Sequence, residues 1–475
     1  FMRRSFRGDA LYAAVFNEYL YQVYRRGHSV EFFPEGGRTR SGRLLPAKFG
    51  LLKMTVDHQL RGLPKPLAFV PVYFSYEKVI EGSSYLSELR GATKKRESLA
   101  DVFRNIKLIR QNFGRVGVNL GAPIELDRWL AERQAVDEPP SDALIESLGR
   151  TIMRGINEQA TVNPVNLVAL VTLAMTNSAI EEQRLLEQIT CYQQLLSQYH
   201  ASQPEHQQDT GNVQVDMQPA ADIIAHVEQL GLLHRYSESF GDVLGHEPFA
   251  AVLMTWYRNN VVHTLALPSL VACLVVKRRR PIRHQDLHDM VRMIFPYLAQ
   301  ELSCQDHKHD FNHCVAVMCK LDLLIDKGAD GLSPPAPDDH HHQQLSLLAN
   351  LVSHTLERMY IVIQHLSQGG YTRESLQDSS ELVAQKISRL YGINAPEFSD
   401  RKLFDQFINQ MLNNGIVTTL ADGTLTQAPA VDQVLQAAES VIDPQIRFGV
   451  LNASTARSSP ADPPAVVEIR STGSD

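Results

Sequence analysis

The segment FFPEGGRTRSGRLL, residues 32–45, sets Pro34-Glu35-Gly36-Gly37 behind an apolar run and follows it with Arg38, Arg40 and Arg43. A Gly-Gly pair lets backbone amides approach an anion without obstruction, and guanidinium forks match phosphate oxygens two at a time. The pattern predicts a site for a phosphate monoester. Glu35, inside this cationic loop, is expected to orient an arginine or the hydroxyl groups of the ligand. Arg3, Arg4 and Arg7 form a second basic cluster, interleaved with the apolar Phe1, Met2 and Phe6. Turn glycines with solvated arginines are the competing reading of the Gly-Gly pair taken alone.

Around these residues the spacing predicts a helix over 9–26, where Leu11, Val15, Tyr19 and Val23 recur at helical intervals before Arg25-Arg26-Gly27 stops it. SVEFF (29–33) reads as a short buried strand, 48–60 as a helix and LAFVPVYFSY (67–76) as a second strand. Such a strand-helix-strand unit makes its strands parallel with a right-handed crossover, and open sheets bind ligands outside the carboxyl ends of their strands. The arginine loop leaves the first strand at that end. A helix over 98–113 and a strand over 116–120 complete an α/β domain near residue 130. Almost everything beyond it is helical, interrupted by polar loops or linkers at 201–220 and 328–344. From about 451 the composition is that of a disordered tail.

At 475 residues, 44% of them apolar and 21% charged, the chain has the composition of a folded protein of two or three domains. Its net charge of −7 hides an asymmetry. Residues 1–125 hold 21 of the 46 Lys+Arg and 11 of the 53 Asp+Glu, leaving 25 and 42 for the remainder. The basic part should attract a phosphate, an acidic carrier or an anionic membrane surface. Cys191, Cys273, Cys304, Cys314 and Cys319 form no disulfide framework, which fits a reducing compartment. FMRRSFRGDA has no signal-peptide pattern, and the chain reads as a fragment that starts within a domain.

FMRRSFRG, FFPEGGRTRSGRL and FVPVYFSYEKV, in that order, resemble the second, third and fourth sequence blocks of bacterial membrane-associated glycerol-3-phosphate acyltransferases. LRGATKKRESL (89–99), VNLGAPIEL (118–126), VLMTWYRNNVVHTLALPSLVA (252–272) and LYGINAPEFSD (390–400) extend the resemblance over nearly the whole chain except the tail. The resemblance implies an open, mixed α/β sheet of the glycerolipid acyltransferase type over 1–130, an α-helical region over 131–450 and the tail over 451–475. It implies transfer of a fatty acyl group from acyl carrier protein or coenzyme A to the primary hydroxyl of sn-glycerol 3-phosphate, giving 1-acylglycerol 3-phosphate for phospholipid synthesis. Carried over block by block, acceptor binding falls to Arg3, Arg4, Phe6 and Gly8, then Phe33, Glu35, Gly36, Gly37 and Arg38. Pro71 would sit at a strand end near the thioester, and Arg40 and Arg43 are weaker assignments. The expected location is the cytoplasmic side of the cell inner membrane, as a peripheral protein, with no cofactor and no metal. Related acceptors, dihydroxyacetone phosphate or lysophosphatidate, are the alternative within this chemistry.

In that family a histidine in a His-x4-Asp first block is the general base and the aspartate holds its imidazole. That block is expected upstream of Phe1, so the chain alone should bind the acceptor and transfer nothing. The literal match His284–Asp289 follows the other blocks and reads as a solvated helix N-terminus. Cys304, His307, His309, His313 and Cys314 have no zinc-finger spacing, and His340–His342 lie in a polar loop; neither group is read as a metal site. The apolar runs 165–175 and 261–276 are shorter than the roughly 20 residues a membrane-spanning helix needs and read as core helices. Lys277–Arg280 reads either as a contact for anionic lipid or as a solvated helix end. From another class, 1–125 could be a nucleic-acid-binding module with Phe6, Tyr12 and Phe16 as contacts. Its basic residues cluster in loops instead of a stripe, so nucleic acid is not expected as a partner.

Overall fold

The computed structural model describes residues 8–37, 39, 41–79, 112–133, 141–175, 179–201, 213–239, 241–304, 311–393, 395–428, 431, 435–436, 438–439 and 442–455. The chain divides into two compact units, Phe1–Val352 and Ser353–Asp475. The first opens with α1 (Ala10–Arg25) and α2 (Phe49–Arg61). Strands β1 (Ala68–Phe69), β2 (Val72–Tyr76), β3 (Val116–Leu120) and β4 (Ile124–Glu125) follow, then α3 (Leu126–Ala131) and α4 (Asp142–Asn157). Its helical part comprises β5 (Thr161–Val162), α5 (Pro164–Thr172), β6 (Ala179–Glu181), α6 (Glu182–Tyr199), β7 (Gln214–Val215) and α7 (Ala220–Gln229). It continues through β8 (His234–Glu238), β9 (Gly241–Gly245), α8 (Pro248–Val261), α9 (Ala266–Val276), α10 (His284–Leu302) and α11 (Phe311–Lys320). The strands β10 (Ile325–Asp326) and β11 (Leu332–Ser333) precede α12 (His340–Gln368), inside which the division between the units falls.

Both early helices lie where their spacing predicts them. Asp9 caps α1 by accepting the Tyr12 N–H at 2.9 Å. The stripe that marks α1 in the sequence faces outward: Leu11, Val15 and Tyr19 are exposed, whereas Leu20 is buried. From α2, Leu52 and Val56 enter a core built with Leu126, Trp129 and Leu130 of α3 and Ile145, Leu148 and Ile152 of α4. Each such side chain contributes about 2 kcal/mol of hydrophobic stabilisation.

The strand expected at 29–33 does not form. These residues have no regular secondary structure; Phe32 leans on the core while Phe33 is 71% exposed. The parallel strand-helix-strand unit expected over 29–76 is therefore not formed. The strand expected over 67–76 is split at Pro71, which has no N–H for a ladder. β1 pairs with β4 and β2 with β3, both antiparallel. Across the break the Gly121 N–H donates to the Pro71 carbonyl at 2.8 Å, which keeps the two ladders in line. The helix expected over 98–113 falls outside the described residues but for its last two positions, which are not helical. The architecture is α/β with a large helical region.

The β2–β3 ladder reverses the usual polarity of a sheet face. Its inner side carries Ser75 and Asn119: Asn163 donates to the Ser75 hydroxyl at 3.1 Å, and Asn119 donates to the Gln159 carbonyl at 2.8 Å and the Thr161 hydroxyl at 2.6 Å. Phe74, Tyr76, Val116, Val118 and Leu120 face out and are exposed. Just beyond β2, the buried Glu77 carboxylate accepts the Arg115 main-chain N–H at 2.7 Å and Nε at 3.0 Å and is hydrogen-bonded to His226 Nε2 at 2.9 Å. That knot ties the ladder to α7.

The apolar runs of the helical part are core elements. α5 is buried along its length beneath an Asn163–Asn166 capping box, and Ala266–Val275 of α9 are buried throughout. Ala250–Val276 is long and apolar enough to cross a membrane, yet 83% of its most apolar window is buried inside the fold. The segment 328–344, expected as a loop or linker, is largely regular: Leu332 pairs with Asp326 and bridges Ile282, and α12 starts at His340.

In the second unit, α13 (Arg373–Tyr391) starts from a Thr372–Ser375 capping box and ends at Gly392, and α14 (Arg401–Asn413) buries Phe404, Phe407 and Ile408. The hairpin strands β12 (Val417–Thr419) and β13 (Leu425–Gln427) follow. α15 (Pro444–Thr455) covers 451–455, residues expected in the tail; 456–475 lie outside the described residues.

Glu77→Ala removes the shared acceptor of Arg115 and His226. The unfolding free energy measured in urea should fall by about 2 kcal/mol, since the Arg115 main-chain N–H, Arg115 Nε and His226 Nε2 lose their common acceptor; a loss below about 0.5 kcal/mol, the range of a neutral surface change, would contradict the knot.

Candidate functional site: a closed arginine loop

Pro34, with its fixed φ, starts a turn in which the Gly36 N–H donates to the Phe33 carbonyl at 3.0 Å. The Pro34 carbonyl accepts the Lys48 N–H at 2.7 Å, and Glu35 Oε2 accepts the Leu45 N–H at 2.8 Å. These two bonds close the loop at its base. Burial raises the Glu35 carboxyl above its ordinary value of 4.5, and the Leu45 N–H opposes that rise. Gly36 has φ +62°, and a Cβ there would meet Lys48 Cγ at 2.8 Å. Gly36 and Gly37 are exposed, with open space around Gly37. The turn therefore presents bare main chain at the surface, the arrangement by which peptide amides receive anions.

The far side of the loop is held by the helical part. Trp256 Nε1 donates to the Thr39 carbonyl at 3.4 Å and Asn259 Nδ2 to the Ser41 carbonyl at 2.8 Å, both from α8. At Gly42, φ is +81° and a Cβ would collide with the main-chain carbonyl of Trp256, so only glycine fits. The Arg43 guanidinium pairs with Glu301 of α10, and the two side chains are only 12% and 7% exposed. Arg43, grouped in the sequence with the phosphate-binding guanidiniums, is thus committed to a structural ion pair. Behind the loop, Arg43, Tyr73, Asn157, Asn259, His263 and Glu301 help to line a cavity of about 30 Å³. It has room for a water or two and not for a phosphorylated polyol. Burial lowers the pKa of His263 to about 4, so its imidazole is neutral there.

Phe33, Glu35, Gly36 and Gly37 thus come together in one turn. Gly8, with φ +82°, lies just before α1. Pro71 is buried between β1 and β2, its ring against Gly155 of α4. Arg3, Arg4, Phe6, Arg38 and Arg40 lie outside the described residues. Trp256, Asn259 and Glu301 are participants that the sequence reading did not assign. Trp256 and Asn259 stand within the WYRNN run, but nothing in a single sequence names their partners.

The other constellations separate. His284 opens α10 with Nε2 3.4 Å from Asp326, whereas Asp289 accepts from Gln285 at 2.9 Å; they form no base-orienter pair. His313 is bonded to main-chain carbonyls of Gln198 and Tyr199, and Cys314 is buried against Met318. His307 and His309 lie outside the described residues. Asp339, His340 and His341 do approach one another, within 4.8 Å, through hydrogen bonds at the start of α12.

A family model described as "Glycerol-3-phosphate acyltransferase C-terminal region" matches residues 85–419, and one described as "Acyltransferase" matches 1–75, the part that carries the closed loop. The chain belongs to the glycerol-3-phosphate acyltransferase family. A protein named glycerol-3-phosphate acyltransferase from Pseudomonas fluorescens is 36% identical over 97% of this chain and 56% of its own length. Relatives of the same name from Pseudomonas putida (37%) and Pseudomonas aeruginosa (38%) align over 95% of this chain and 55% of their own. The chain spans about half the length of the curated relatives it matches.

Two outcomes test the loop. Gly42→Ala forces a side chain into the Trp256 carbonyl and should cost at least about 2 kcal/mol of unfolding free energy in urea; wild-type stability would contradict the close approach. Because Glu35 holds its proton to higher pH in the folded state than when unfolded, the wild type should lose stability relative to Glu35→Gln as pH rises from 4.5 through the raised folded value. Above that window the difference stays constant. Parallel stability curves across it would contradict the burial of this carboxyl.

Proposed function

We propose that this chain supplies the acceptor-binding part of a glycerol-3-phosphate 1-O-acyltransferase. Membership of the family supports the reaction class, and the closed Pro-Glu-Gly-Gly turn is the observation that carries the acceptor. A phosphate dianion needs donors without a compensating negative charge. The exposed main chain of Gly37, followed in sequence by Arg38 and Arg40, is the proposed source of them; the Gly36 N–H is taken by the Phe33 carbonyl and the one carboxylate of the turn is drawn inward to Leu45.

In the reaction proposed, the primary hydroxyl of sn-glycerol 3-phosphate loses its proton to a base as its oxygen attacks the thioester carbonyl. The thiolate of acyl carrier protein or coenzyme A then leaves, and 1-acylglycerol 3-phosphate is released. The loop's contribution is to fix the phosphate so that this hydroxyl is held in register. No residue of this chain is assigned as the base: the His-x4-Asp spacing at His284–Asp289 is split between two partners. The chain by itself is therefore proposed to bind the acceptor and transfer nothing.

We read the two short ladders as part of an open mixed sheet of the glycerolipid acyltransferase type. The exposed apolar side of β2–β3 supports that reading, because an apolar sheet face is ordinarily covered by a further layer. A peripheral position on the cytoplasmic side of the inner membrane agrees with the basic excess of 1–125 and with exposed Arg279 and Arg280; Arg278 turns inward to the Leu274 carbonyl.

Calorimetric titration of the whole chain with sn-glycerol 3-phosphate tests the acceptor assignment. Binding is expected, about tenfold weaker in Arg38→Ala, the loss of roughly one charge-assisted contact. Tighter binding of dihydroxyacetone phosphate would reassign the acceptor, and equal heats from wild type and Arg38→Ala would remove the loop from the site.

A further inference from the structure

We infer that Asn259 and Glu301, with Trp256, are positioning residues of the acceptor site, so that α8 and α10 form its rigid back wall. The inference rests on the acceptor role proposed for the loop and gives a task to the helical region. Glu35 is tied to Leu45 on one side, and Thr39 and Ser41 are tied to Trp256 and Asn259 on the other. Gly36, Gly37 and Arg38 are the whole of the chain between the Glu35 and Thr39 fixed points. A Gly-Gly sequence is the most costly kind to order, and whatever is not ordered beforehand is ordered at the expense of binding.

The anchors also match the segment in kind. Asn259 acts on a main-chain carbonyl, the Gly42–Trp256 approach admits no side chain, and Arg43–Glu301 is a largely buried pair whose separation would leave a charge without its partner. None of the three touches the exposed face of Gly36 and Gly37 in any bond described, so they act through the loop and are not catalytic residues. Among the described residues of this loop, Arg43 ties it to α10 through Glu301.

The full chain and the variants Asn259→Ala and Glu301→Gln are to be titrated with sn-glycerol 3-phosphate, with amide hydrogen exchange followed over 36–45. Glu77→Ala serves as a control that weakens the same unit away from the loop. Both loop-wall variants are expected to bind about tenfold more weakly, the order of effect of small misplacement in a preorganised site, and to exchange faster across 36–45. Glu77→Ala is expected to bind as the wild type does. Wild-type affinity with unchanged exchange in both variants overturns this inference and leaves the acceptor reading standing, as does an equal loss of affinity in Glu77→Ala, which would mark a general effect of stability. No binding by the wild type overturns the acceptor reading and this inference with it.

Discussion

The contact between the Gly42 main chain and the Trp256 carbonyl is the constraint on which the candidate site depends. It brings a loop near residue 40 and a helix more than 200 residues later within van der Waals reach, and it tolerates no Cβ. Once it is made, Asn259 finds the Ser41 carbonyl and Arg43 finds Glu301. A basic segment that would otherwise be a mobile solvated loop becomes a closed structure with an exposed Gly-Gly edge. The charge question posed by the sequence is answered in part: Arg43 is used to build the loop.

Among the described residues, polar groups join the β2–β3 ladder to the helices. Ser75 and Asn119 on the ladder, with Asn163 and Thr161 opposite, satisfy one another, and Glu77 collects Arg115 and His226. Buried polar pairs add little net stability but penalise misregister heavily, because each displaced group is left without a partner. That property suits an interface that must hold a loop at a fixed height above the helices. The hydrophobic contribution is made elsewhere, in the cluster of α2, α3 and α4.

What the sequence made legible follows from the range of the interactions involved. α1 and α2 obey a local period, and the turn at Pro34–Gly37 is written in residues whose backbone preferences are local. Pro71 interrupts its strand for an equally local reason. SVEFF misled because apolar content marks burial in general; Phe32 does pack inward, but no described strand completes a ladder with it. The parallel pairing inferred from that strand failed with it. Arg43 could not be assigned from one sequence, since its partner lies 258 positions away and an exposed guanidinium and a paired one look identical in the chain. The same holds for Leu11, Val15 and Tyr19, whose spacing announced a helix without saying which side would meet water.

The central claim is that a phosphate monoester is received by the glycine edge of this loop. A crystal structure of the chain soaked with sn-glycerol 3-phosphate tests it most directly. The account expects phosphate oxygens within hydrogen-bonding distance of the Gly37 amide and the Arg38 guanidinium, with Arg43 still on Glu301. Phosphate bound elsewhere, with the Glu35 turn vacant, would contradict it.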